Sequence, residues 1–140
     1  MCLAVYIASS EALPLIAWNR HVPGFYVEQI KGDDEVVRRQ FTLPHVYYVG
    51  SHEGCGCGFF KEGEVGEELG RVQENYRRLA EYLRQAQKQG ADLELFTCWE
   101  GDQERTPGYR ETLTPADLED AGYEFKFNEE FFAKIVREER

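Results

Sequence analysis

The chain has 140 residues, 42% of them hydrophobic and 14% aromatic, which is enough apolar material for one core of ordinary domain size and too much for a disordered polymer. Acidic residues outnumber basic ones 26 to 16, a net charge of −10 that opposes attraction to nucleic acid or to anionic lipid. No apolar run approaches the ~20 residues of a membrane span, and the first residues lack a basic leader and a small-residue cleavage site, so a cytoplasmic protein with no membrane or nucleic-acid partner is expected.

In chain order, residues 2–8 read as a β-branched and aromatic strand, and a loop follows from Ser9 to Gly24 in which Pro14, Trp18, Asn19, Pro23 and Gly24 discourage regular structure. Residues 25–30 read as a second strand. Asp33 or Asp34 would cap a short helix through Gln40, and Pro44 precedes a third strand over residues 45–50. The strongest helical signal covers residues 67–89, where Leu69, Val72, Tyr76, Leu79, Leu83 and Ala86 recur at spacings of three and four. Acids crowd its start, Arg and Lys its second half, and Gly90 ends it. The stripe suits packing on a sheet; a homodimer seam is its alternative use.

Beyond Gly90, residues 93–99 carry bulk on both alternating faces and read as a central strand. Residues 101–108 read as an exposed acidic loop, with Glu100, Asp102 and Glu104 beside Trp99, which could line a pocket or simply be solvated. A short extended piece follows at 109–113. Thr114, Pro115 and Asp117 then set a helix start with an end near Ala121. Alternation of Tyr123, Phe125 and Phe127 predicts a last strand, and Asn128 would cap a C-terminal helix bearing Phe131, Phe132, Ile135 and Val136. The expected fold is α/β or α+β: one domain over residues 1–140, with a single mixed sheet of about five strands covered by the long helix plus short helices.

Chemistry concentrates in residues 51–59, S-H-E-G-C-G-C-G-F, directly after the third strand. His52, Cys55 and Cys57 are three borderline or soft donors within six residues. Tetrahedral zinc would need a fourth, for which Cys98, Cys2 and Glu53 are available. A strand–helix–strand crossover would make the third and fourth strands parallel neighbours and bring Cys98 to the loop, so the expected metal set is His52, Cys55, Cys57 and Cys98. The same loop supports thiol chemistry, with Cys55 or Cys57 as redox pair or nucleophile, His52 as proton acceptor and the amides of Gly54, Gly56 and Gly58 around an oxyanion. It also supports a bland reading, in which a tight glycine turn packs against neighbouring backbone and the cysteines are small hydrophobes in a non-catalytic binding protein. Cys2 offers a third chemistry: removal of Met1 would expose its α-amine as a base for its own thiol, although folds of that kind usually need a longer chain. His21 and His45 have no acidic or thiol neighbour in sequence.

The start Met1-Cys2-Leu3-Ala4, the loop V-G-S-H-E-G-C-G-C-G-F at residues 49–59 and the segment L-F-T-C-W-E-G-D-Q-E at residues 95–104 together resemble a group of short bacterial proteins of unknown function. The resemblance implies a bacterial, complete chain and lends no activity, cofactor or substrate. A small-molecule or metal ligand, zinc among the metals, remains the residue-level expectation.

Overall fold

A computed structural model describes residues 2–138. Its six strands are β1 (Leu3–Ser9), β2 (Tyr26–Gln29), β3 (His45–Gly50), β4 (Leu93–Trp99), β5 (Tyr109–Leu113) and β6 (Phe131–Ile135), with helices α1 (Gly66–Lys88) and α2 (Pro115–Glu119) and short 3-10 turns. They form one mixed sheet in the order β2-β3-β1-β4-β6-β5, antiparallel throughout except for the β5–β6 pair, which gives an α+β fold with six strands rather than about five.

β1 sits in the middle because both of its faces are apolar. Leu3, Val5 and Ile7 join the core under α1, while Ala4, Tyr6 and Ala8 join a second cluster with Val37, Tyr48, Phe96 and Cys98 on the other face. The first core receives Val72, Tyr76, Leu79 and Leu83 from α1, all at or near zero exposure, as the three-four spacing requires. Residues 30–43 cover the second face. There the expected short helix forms as a 3-10 turn, Gly32–Gln40, without a side-chain cap, and the carboxylate of Glu94 accepts from the Thr42 amide, the Thr42 hydroxyl and the Leu43 amide at 2.7–3.2 Å, seating its exit on the sheet.

Sequence expectations about the topology and about the last third of the chain are corrected. The third and fourth strands are not ladder partners: β1 lies between β3 and β4 and is antiparallel to both. The two still run the same way, so their C-terminal ends share one sheet edge with the start of β1, and Leu3 pairs with Trp99 there. At the chain's far end, Phe131 begins a strand and not a helix, and Tyr123 to Phe127 enter no ladder. The reason is tertiary. The open edge of β4 offers backbone partners to β6, and the alternation that results puts Phe131, Ala133 and Ile135 in the first core, Phe132 on the second face and Lys134 opposite Glu94. Phe125 and Phe127 still fill the core, as aromatic plugs under α1. α2 starts on the Thr114–Asp117 capping box but stops at Glu119. No helix among the described residues is long and apolar enough to cross a membrane.

Candidate functional site

The loop after β3 is wound around Ser51. Its buried hydroxyl donates to the Cys55 carbonyl at 2.6 Å and accepts from the amides of Gly58 at 3.0 Å and Glu53 at 3.2 Å. The Ser51 amide also donates to the Cys55 carbonyl, and Gly54 N–H to the Ser51 carbonyl. Tyr26 holds the outside of the turn by donating to the Gly54 carbonyl at 2.6 Å. Two glycines are required by close approach. A Cβ on Gly56 would lie 2.6 Å from the Leu3 carbonyl oxygen, and one on Gly58 would lie 2.1 Å from Ser51 Oγ. From the other side Tyr76 of α1 donates to the Phe59 carbonyl at 2.6 Å and accepts from the Phe125 amide at 3.1 Å, locking the 3-10 turn Gly56–Phe59 onto the helix.

This winding turns Cys55 and Cys57 toward the start of β1, where Cys2 meets them. The three sulfurs lie within 4.8 Å of one another. Two backbone amides already point at them: Leu3 N–H donates to Cys57 Sγ at 3.3 Å and Cys57 N–H to Cys55 Sγ at 3.4 Å. Burial pushes the Cys55 thiol up to about 12, the Cys57 amide opposing and the Cys57 and Cys2 sulfurs adding to the rise. Cys2 is exposed, and Cys55 and Cys57 are half-buried.

His52 belongs to a second, adjacent group. Its Nε2 lies 2.7 Å from Glu68 Oε1 and 3.3 Å from Glu53 Oε1, and its Nδ1 lies 2.8 Å from Asn75 Nδ2. Asn75 Nδ2 also faces the Gly58 carbonyl at 3.1 Å, an acceptor, which fixes the amide's orientation as a double donor. The Nδ1 lone pair therefore accepts from Asn75, the ring proton sits on Nε2, and that proton goes to Glu68. Hydrogen bonds from His52 and then Arg71 hold the Glu68 carboxyl below its usual range. In this tautomer both nitrogens of His52 are engaged, so ligating a metal or taking a proton from Cys55 or Cys57 would first require one of those bonds to break. Of the three amides that could serve an oxyanion, those of Gly54 and Gly58 are already spent inside the turn.

Cys98 is buried in β4, in the cluster on the face opposite the core that Cys57 packs against. Burial and then the carboxylates of Glu100 and Asp102 push its thiol up. The acidic loop beyond it is partly tied down. Gln103 Nε2 lies within 3.0–3.3 Å of the Tyr6 hydroxyl, Asp34 and Glu100, and Tyr6 donates to Asp34 at 3.0 Å. Glu104 faces Arg39, and Asp102 faces Arg105, both at 3.9 Å.

The structure thus gathers Cys55, Cys57 and Cys2, sets His52 beside them with Glu53 and Glu68, and leaves Cys98 apart. Glu68 was legible only as one of the acids at the start of the long helix and Asn75 not at all, although an Asn three residues after Val72 and next to Tyr76, within the apolar stripe, is a signal that could have found the second of them. The removal of Met1 lies outside the described residues. A pocket of about 280 Å³ is lined by Cys57 together with Glu53, Glu68, Phe60 and Trp99. Comparison with family models, with curated proteins and with solved structures finds no match for this chain.

Proposed function

We propose that this protein is a metal-binding protein that holds one thiophilic cation, zinc or a chemically similar ion, on Cys2, Cys55 and Cys57. The observation that carries the reading is the convergence of three sulfurs, one from the residue before the first strand and two from the loop after the third, to within 4.8 Å of one another. Thiolates around a tetrahedral cation at bonds of about 2.3 Å stand about 3.8 Å apart, so a small inward movement closes the set. The N–H donors from Leu3 and Cys57 support it, because amides aimed at sulfur stabilise thiolate and orient it toward a metal. Without a cation, burial and two neighbouring sulfurs hold Cys55 protonated, which weighs against a free working nucleophile. Glu53, which lines the same pocket as Cys57, is the chain's own candidate for a fourth position. Three reduced thiols fit the cytoplasm of a bacterium, the setting that the sequence resemblance implies.

The test is metal content after loading with zinc, and the visible spectrum after loading with cobalt. One equivalent per chain, thiolate-to-cobalt absorption, loss of both in Cys2→Ser and Cys55→Ser, and retention in Cys98→Ala are expected. If wild type retains no more metal than the serine variants, the reading fails; rapid alkylation of Cys57 in that metal-free chain would turn the site toward thiol chemistry instead.

A further inference from the structure

Away from the thiols, residues 11–16 lean across α1 and leave a pocket of about 390 Å³, a volume in the range of small-molecule sites. Its interior is apolar: Leu13, Ile16, Phe25, Tyr82, Ala86 and Ala91. Both walls are fixed. Leu13 N–H donates to the Tyr47 hydroxyl at 2.8 Å, Ile16 forms a two-way backbone bridge with Val27, and the Tyr82 hydroxyl donates to the Pro14 carbonyl. A ligand entering here meets a cavity already shaped, with little ordering left to oppose binding.

The rim carries a specific charge. Arg77 is taken up by Glu74, with bonds of 2.6 and 2.7 Å, and Glu81 is paired with Arg84 at 3.6 Å. Arg78 has no ion-pair partner among the described residues; its guanidinium lies over Phe25, 5.9 Å from the ring centroid, at the helix side of the mouth. Glu74, held by Arg77, reaches Arg78 only through longer-range attraction, so beside this apolar cavity the Arg78 guanidinium keeps donors that no side chain among the described residues takes up, which suits it to receive an anion. Glu11, which likewise has no ion pair among the described residues, lines the same pocket and disfavours a second anionic group there.

We propose that this pocket binds a small monocarboxylic acid with an aliphatic or aromatic tail, its carboxylate on Arg78 and its tail between the 11–16 segment and the Tyr82 and Ala86 side of α1. The proposal is independent of the metal reading, since it uses none of the three thiols.

The test is calorimetric titration of the full chain with octanoate, octan-1-ol and octylamine, with NMR shifts at Ala86 and Tyr82 locating the site. Octanoate is expected to bind and to shift those two signals, with the alcohol about tenfold weaker and the amine weaker still. Arg78→Gln should lower octanoate affinity about tenfold. Gln85→Trp, an exposed helix position on the pocket lining, should abolish binding while leaving the melting temperature unchanged. Equal affinity for acid, alcohol and amine, or an Arg78→Gln variant that binds octanoate as wild type does, overturns the assignment of an acid. Absence of octanoate binding, or binding that leaves Ala86 and Tyr82 unshifted, overturns the site.

Discussion

Asn75 and His52 are joined by a hydrogen bond in which the helix residue is the donor: Asn75 Nδ2 stands 2.8 Å from His52 Nδ1 and 3.1 Å from the Gly58 carbonyl. One side chain of α1 thereby sets the tautomer of the imidazole and closes the glycine turn. Asn75→Leu should leave a buried carbonyl unpaired and cost about 1–3 kcal/mol in chemical denaturation. A shift in midpoint too small to measure would mean that water replaces the amide and that the turn does not depend on it.

The apolar face of α1 offers a plainer test. Leu79 and Leu83 are fully buried against the sheet, so Leu79→Ala or Leu83→Ala should destabilise by about 2–5 kcal/mol. A loss below about 0.5 kcal/mol would contradict the packing of the helix on the sheet.

Glu100 supplies a pH dependence whose direction can be worked out. Burial, and after it the charge of Asp34, raises its carboxyl above the usual value. The folded chain therefore holds this proton to higher pH than the unfolded chain does. The contribution to stability is complete below the unfolded value and is lost as pH rises through the folded one. Glu100→Gln has no charge to bury, so it should match wild type more closely in acid and exceed it at neutral pH. The same difference from wild type at both pH values would show that the carboxylate is not the cause.

In metal-free protein the order of alkylation should follow exposure and thiol acidity. Cys2, exposed, should react first; Cys55, with its thiol near 12, and Cys98, fully buried, should react last. Mass spectrometry of partially labelled chains gives the order directly. Cys55 labelled ahead of Cys2 would contradict the environment described for it.

That order differs from the one that sequence position suggests, in which Cys2 and Cys98 are both shielded by their strands and at least one of Cys55 and Cys57 is open, since Cys2 is exposed and only Cys98 is buried. Local signals in the sequence were dependable: the repeats along α1, the bounds of β3, β4 and β5, and the Thr114 capping box all depend on neighbours within a few residues. What escaped depends on partners far away in the chain. Whether residues 131–135 become strand or helix turns on the free edge of β4, because their apolar pattern allows either. Whether Cys2 or Cys98 joins Cys55 turns on β1 lying between β3 and β4, and on which face of the sheet each cysteine takes. The loop itself was legible as the place where reactive side chains gather, while its internal bonds, Ser51 above all, were not, since a serine among glycines carries no mark of becoming a hub.

The central position of β1 also governs how this chain comes off the ribosome. The first strand to emerge is apolar on both faces, and its two ladder partners end at Gly50 and at Trp99. Until β4 has been synthesised, one edge of L-A-V-Y-I-A-S lacks its ladder partner, which leaves an apolar strand edge open to aggregation in the interval. The ladder on that edge closes only between residues about ninety positions apart in the chain, and pairings of such long range slow folding relative to helical chains of similar length.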